Sequence, residues 1–415
     1  MSEWYLEFVR TGYEPKENEL VCTFRVEPDG VSMEEAAGRV ASESSVGTWT
    51  TLTKLPNRIR DLMAKVFEID GDLIRVAYPI DLFEEGNIPQ LLSSIAGNVF
   101  GMRALKNLRL EDVEFPEEYV KHFKGPQFGI DGVRRRLKIR DRPLTATVPK
   151  PKVGFDADEY AEVALNAWTG GIDLVKDDEN LTSQSFIRFE KRLEKVMKVR
   201  DRAENETGEK KSYLVNITAE CEEMKRRAKL VADHGNEFVM VDIITAGWSA
   251  LQTIREVCED LDLAIHAHRA MHAAFTRNPK HGISFGVIVK IARLVGVDNI
   301  HVGTGVGKMA GKAEEVKGYA DLCRKEWFHL KPVFPVSSGG LHPGLIPDVM
   351  KLFGKDVIIQ AGGGVHGHPD GTYAGAKALR QAIDATLKGI SLEEYAEDHE
   401  ELRKALEKWG HLKPK

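Results

Sequence analysis

The stretch Gly171-Ile172-Asp173-Leu174-Val175-Lys176-Asp177-Asp178-Glu179-Asn180 sets one lysine beside three successive carboxylates at the end of an apolar run. Residues two apart on a strand share a face. Lys176 and Asp178 would therefore point together and Asp177 away, and Glu179 could turn back toward the same spot as the strand ends. Two carboxylates suit a hard cation such as Mg2+. A cationic lysine does not, unless its amine becomes an anion. Reaction with CO2 does this, because a carbamate is a lysine carrying a carboxylate. The competing reading is a solvated charge run.

Other segments carry chemistry of their own. In Lys150-Pro151-Lys152 the proline restricts the backbone and would hold two lysines in fixed directions. A lysine near other cations can be tuned toward neutral pH and move protons; the alternative is a surface turn. His266-Ala267-His268-Arg269-Ala270-Met271-His272 has a spacing that could bind zinc, and its arginine offers a planar donor fork for phosphate. His301-Val302-Gly303-Thr304-Gly305-Val306-Gly307-Lys308 superficially resembles nucleotide motifs. A phosphate-binding P-loop would need glycine at Val302 and serine or threonine at Met309, and a dinucleotide fingerprint fails at Lys308. What remains is a glycine loop with one lysine, either an inert connector or a segment that closes over a ligand. Ser337-Ser338-Gly339-Gly340 and Gly362-Gly363-Gly364 would let backbone N–H groups approach an anion, or serve only as turns. With Arg269 and His301 added, two separate anion sites emerge. They suit a substrate with a phosphate at each end and a metal between.

Something must bring these distant segments together. From about Leu144 short apolar runs alternate with helix-period segments. The runs end near Lys150, Lys176, Thr218, Ile244, His268, Thr304, Ser338 and Gly363. Eight strand–helix units predict a (β/α)8 TIM barrel, an α/β fold whose chemistry sits at the C-terminal ends of its strands; a doubly wound sheet is the alternative. Tyr160, Val163, Ala164 and Ala167 share one helical face, as do Phe186, Phe189, Leu193 and Val196, and His234-Gly235 reads as a helix C-cap. Residues 1–123 read as a small ferredoxin-like α+β domain. A strand alternates through Leu20, Cys22, Phe24 and Val26, and a helix opens on a Ser32/Glu35 capping box. A strand then lies near Leu73–Tyr78 and a helix near Pro89–Ala96. Residues 124–143 read as a linker with one short helix, so that 124–415 form the barrel domain with C-terminal helices.

Bulk properties exclude other classes. The chain has 415 residues, a formal charge of −6, and no basic stripe interleaved with aromatics, which argues against nucleic acid. No apolar run approaches the roughly 18–20 residues of a membrane span, and the start has no basic n-region or apolar h-region. Four scattered cysteines without a CxxC pair read as free thiols in a reducing cytoplasm.

Taken together, Glu43-Ser44-Ser45-Val46-Gly47-Thr48-Trp49-Thr50, Ser94-Ile95-Ala96-Gly97-Asn98, the Lys150, Lys176 and His268 segments, the loop to Lys308 and both glycine sites resemble the large subunit of ribulose-1,5-bisphosphate carboxylase/oxygenase, from about Gly12 to Gly410. The wording VPKPKVG, KDDENLTSQ and HRAMHAAFTRNPKHGIS is similar to the archaeal form III group. The resemblance implies that Lys176, carbamylated by an activating CO2, binds one Mg2+ with Asp178 and Glu179. It implies that the carbamate abstracts the C3 proton and that Lys150 steers protons and protonates the product carbanion. His268 would assist the shuttle, and Lys308 would stabilise the new carboxylate. Arg269, His301 and Ser338 would hold one phosphate, and Thr48, Trp49, Gly340, Gly362 and Gly363 the other, with Lys152 and Gly339 also lining the substrate site. Glu43 and Asn98 would come from a partner subunit, making a homodimer the smallest working unit. A ring of dimers is open, and no small subunit is expected. Substrates would be ribulose 1,5-bisphosphate with CO2 or O2, and the implied route is nucleotide ribose salvage. Val148 and Ala310 depart from the common Thr and Glu, and no long C-terminal tail follows Trp409.

Two readings compete with a carboxylase. One is a relative that enolises or isomerises another sugar phosphate; such relatives lose several of the residues kept here. The other is a non-catalytic sugar-phosphate-binding protein, which a full metal triad argues against.

Overall fold

The structure is a computed structural model that describes residues 2–52, 54–306 and 312–412. It divides into two compact units. One comprises Met1–Lys124 with Met271–Leu294 and Trp327–His329; the other comprises Gly125–Ala270, Val295–Glu326 and Leu330–Lys415.

In the first unit, β1 (Leu20–Pro28), β2 (Lys65–Asp70), β3 (Leu73–Tyr78) and β4 (Leu105–Glu114) form an antiparallel sheet in the order β4-β1-β3-β2. With the helices Met33–Glu43 and Ile88–Ile95 this is a βαββαβ, ferredoxin-like arrangement. A two-residue strand, Gly282–Ile283, adds in parallel to β4 and makes the sheet mixed. Leu20, Cys22, Phe24 and Val26 are buried, as period two requires. Ser32 caps the first helix by accepting from Glu35 N at 3.1 Å, but Glu35 turns its carboxylate to Arg39 at 2.7 Å. Asn87 caps the second helix, with proline in its first turn.

The second unit is a closed barrel of eight parallel strands: Leu144–Thr147, Leu174–Lys176, Ser212–Asn216, Phe238–Asp242, Ala264–His268, Asn299–His301, Phe334–Ser338 and Ile358–Gln360. The eighth pairs with the first, at Ile358 with Leu144, which closes the ring. Leu144, Ala146, Leu174, Leu214, Phe238, Met240, Ala264, Phe334, Val336 and Ile358 form an apolar core with Ile130, Val133 and Leu137. Those last three come from the helix Gly129–Leu137, so the segment that reads as a linker in the sequence is a plug for the barrel. Arg134 fixes the plug by donating to Arg142 O, Lys355 O and Asp356 Oδ1, just before the first and eighth strands. Asp298, before the sixth strand, accepts from Phe128 N and Gly129 N.

The surrounding helices bury one face each. Tyr160, Ala164 and Ala167 are buried, as are Phe189, Leu193 and Val196. Phe186 is not on that face: the helix begins at Phe189, and Phe186 lies in the preceding loop, 43% exposed. Gly235 adopts φ +71° after the helix Cys221–Asp233. All four cysteines are free. Among the described residues no helix is long and apolar enough to cross a membrane.

Candidate active site

Period two explains which polar side chains enter the barrel. Leu174 belongs to the interior core, so Lys176, two residues on, faces inward at the strand's C-terminal end. By the same alternation Phe238 and Met240 lead to Asp242, Ala264 leads to His266 and His268, and Phe334 and Val336 lead to Ser338. These polar residues gather at the end of the barrel opposite the plug.

Lys176 is fully buried. Its Nζ donates to Asp177 O at 2.8 Å and lies 3.7 Å from Glu179 Oε2. Burial pushes the amine's pKa down, against the pull of Glu179, Asp178 and Asp242. Asp178 is buried and takes Lys150 Nζ at 3.1 Å and Asn180 N at 3.1 Å. Lys152 donates to Asn180 Oδ1 at 2.8 Å. Burial would raise the carboxyl of Glu179, but His268 and Lys176 outweigh it and hold that carboxyl below its ordinary range. Gly362 sits against Lys150: a Cβ there would meet Lys150 Cε at 3.1 Å.

Asp177 points the other way, into the helix layer. Its carboxylate accepts from Tyr160 OH at 2.7 Å, Tyr213 OH at 2.5 Å, Asn216 N at 2.9 Å and Arg192 Nη2 at 3.1 Å. Asn216 Nδ2 reaches Glu179 O and Leu181 O at 3.3 and 3.0 Å. This network fixes the backbone that carries Asp178 and Glu179.

His268 lies between two carboxylates, with Nδ1 3.2 Å from Asp242 Oδ1 and Nε2 3.6 Å from Glu179 Oε2, and its Nδ1 accepts from Ala270 N at 3.2 Å. Burial and then Lys176 lower its pKa, and the two carboxylates oppose them. Its ring lies 4.7 Å from that of His301, which in turn contacts His266 and Ser338. Burial holds Arg269 down at about 10, and a Cβ on Gly303 would stand 3.0 Å from Arg269 Nη2. Gly339 and Gly340 take φ +112° and +72°, values open to glycine at little cost. Gly363 opens a short helix that ends at His366. Val148 is buried at the end of the first strand.

Four expected site residues lie on the first unit. Glu43 ends the helix Met33–Glu43 and Asn98 opens the turn Asn98–Gly101; these two elements are neighbours, and both residues are exposed. Trp49 is 73% exposed, and Thr48 O accepts from Trp4 Nε1 at 3.2 Å. Lys308 and Ala310 lie outside the described residues. Asp242, Asn216 and Asn299 escape a reading of motifs. Asp242 alone had a signal, as the one charge closing an otherwise apolar alternation.

The donor set fits a hard divalent cation on one condition. Among the described residues no three His, Cys, Asp or Glu side chains converge to hold a metal. Asp178 and Glu179 supply two carboxylates beside an amine whose charged form burial disfavours. A carboxylate added to that amine would complete an all-oxygen set.

Comparison with known proteins bears on the family and the fold. Residues 129–409 match the family model for the ribulose bisphosphate carboxylase large chain, catalytic domain, and residues 7–119 match the model for its N-terminal domain. The chain is 63% identical to a ribulose bisphosphate carboxylase of Pyrococcus abyssi, over all of this chain and 98% of that one. It is 51% identical to that of Methanosarcina acetivorans, over 97% and 99%. Among solved structures, octameric ribulose-1,5-bisphosphate carboxylase/oxygenase from Pyrococcus horikoshii superposes with a TM-score of 0.95 at 60% identity, covering 98% of this chain and 97% of that one. A dimeric archaeal Rubisco from Hyperthermus butylicus gives 0.94 at 55% identity, covering 98% and 100%.

Proposed function

The chain belongs to the ribulose bisphosphate carboxylase large-chain family, and from that premise we propose that it adds CO2 to ribulose 1,5-bisphosphate to give two molecules of 3-phosphoglycerate, with oxygenation as a side reaction. The observation that carries the reading is the buried Lys176 amine flanked by Asp178 and Glu179, with Lys150 and His268 converging on the same carboxylates.

Asp178, Glu179 and a carbamate on Lys176 would hold one Mg2+, which when bound supplies Lewis-acid polarisation of the sugar's carbonyl and hydroxyl oxygens. Burial disfavours the charged form of Lys176, and the neutral amine is the form that reacts with CO2. The carbamate would then take the proton from C3 of the sugar. Lys150, 3.1 Å from Asp178, would steer protons and finally protonate the product carbanion. His268, set between Glu179 and Asp242, would assist that transfer. Lys308 would stabilise the carboxylate that forms from CO2.

The substrate's two phosphates would bind apart. Arg269 and Ser338 would take one directly, with charge and a directed donor, and His301, whose ring nitrogens face His266 and Ser338, would hold Ser338 from behind. Backbone N–H groups at Gly340, Gly362 and Gly363 would take the other, with Lys152 and Gly339 beside them. Thr48 and Trp49 would join the second phosphate site, and Glu43 and Asn98 would be supplied by a second copy of the chain, so a homodimer would be the smallest working unit and assemblies of dimers could follow. Free thiols suit a reducing cytoplasm, and salvage of nucleotide ribose is the route we favour.

The test is product identification by mass spectrometry after incubation with ribulose 1,5-bisphosphate, bicarbonate and Mg2+. We expect 3-phosphoglycerate. Its absence from folded protein, with an isomer of the sugar phosphate in its place, would overturn carboxylation in favour of enolisation alone.

A further inference from the structure

Behind the expected phosphate ligands lies a line of hydrogen bonds inside the barrel. Asn299 Nδ2 stands 3.2 Å from His266 Nδ1, His266 Nε2 stands 2.8 Å from His301 Nε2, and His301 Nδ1 stands 2.7 Å from Ser338 Oγ. Asn299, His266 and His301 are buried. Of the four, only Ser338 is partly open to solvent.

Two ring nitrogens 2.8 Å apart cannot both carry hydrogen, so one Nε2 donates and the other accepts. The Asn299 amide, which turns Nδ2 to His266 Nδ1 and leaves Oδ1 buried without a hydrogen-bond partner among the described residues, decides which. An amide N–H2 only donates, so His266 Nδ1 must be bare and its hydrogen must sit on Nε2. His301 Nε2 is then the acceptor, and its hydrogen sits on Nδ1. Ser338 Oγ accepts that hydrogen, which leaves the serine's own hydrogen free to point elsewhere. The reversed line would oppose two donors at Asn299 and His266, and would turn the serine hydrogen back onto the imidazole. Both rings are held neutral, first by burial and then by nearby positive groups, so each has one donor and one acceptor.

We infer that Asn299 and His266 are positioning residues that set the Ser338 hydroxyl as a hydrogen-bond donor to an anionic oxygen, by fixing the tautomer of His301. This rests on the reading of Ser338 as a ligand of a substrate phosphate. His266 does not itself touch the substrate; it acts through His301 and Ser338.

The first test does not depend on turnover. In 15N-histidine NMR of the whole protein, assigned with His266→Gln and His301→Gln, the inference expects His266 protonated on Nε2 and His301 on Nδ1. His301 protonated on Nε2 would overturn it, whatever reaction the protein performs. The second test is kinetic. A hydrogen bond to a charged oxygen is worth about tenfold in affinity. His266→Phe should therefore raise KM for ribulose 1,5-bisphosphate about tenfold and change kcat little, which is the signature of lost uniform binding. His266→Gln, whose amide N–H can still donate to His301, should restore most of the affinity. In a Ser338→Ala background His266→Phe should add little, because both act on one contact. Additive effects, or an unchanged KM in folded His266→Phe, would overturn the inference.

Discussion

Lys150 Nζ lies 3.1 Å from Asp178 Oδ2, so one expected metal ligand is already engaged by a lysine. A cation binding Asp178 must displace or share that partner. Lys150→Met should therefore lower the Mg2+ concentration needed for half-saturation, measured by calorimetric titration in the presence of bicarbonate. The same substitution should reduce carboxylation by at least about 100-fold, the usual worth of a positioned proton donor. Weaker Mg2+ binding in Lys150→Met would contradict this account of the pair.

Asp177 should matter for stability without touching substrate. Its carboxylate and Arg192 are both fully buried, and two tyrosines and a backbone N–H share it. Asp177→Asn would leave the guanidinium without its counter-charge, which costs about 3–5 kcal/mol for a buried pair. The check is the denaturant midpoint at fixed protein concentration. A midpoint unchanged from the parent would mean that the network does not anchor the segment.

Much of the barrel was legible because its strands are buried on both faces and read as apolar runs, each closed by a polar residue at the mouth. Lys176, His268 and Ser338 stand out for that reason. The first unit was less legible. β2 carries Lys65, Glu68 and Asp70 within six residues, which dilutes its apolar signal. β4 slips register against β1 near Leu110, which breaks the period-two pattern. The short helix expected within residues 124–143 is there as Gly129–Leu137, but its Arg-rich face hid its role as a plug. Asn299 and His266 act through other side chains, and their role appears only once strands five and six lie side by side.

The buried histidines should make the protein acid-sensitive. Burial, and then the charge of Lys150, lowers His366 from 6.5 to about 4. The folded form binds fewer protons than the unfolded form between these values. Stability is therefore fully present above about 6.5 and falls as pH drops toward 4. A fully shifted histidine contributes a slope of up to about 1.4 kcal/mol per pH unit in that window. Denaturant unfolding at pH 7 and pH 5 should show the loss, and His366→Gln should flatten the dependence. A steeper dependence in that variant would reverse the sign argued here.

The central claim is that Lys176, activated by CO2, makes this chain a carboxylase. The most direct measurement is fixation of labelled CO2 into 3-phosphoglycerate from ribulose 1,5-bisphosphate, run anaerobically with the parent protein and Lys176→Ala, each with and without preincubation in bicarbonate and Mg2+. The account predicts labelled product from the preincubated parent, much less without preincubation, and none from Lys176→Ala. Near-normal labelling in Lys176→Ala, or no product from folded parent protein, would contradict it.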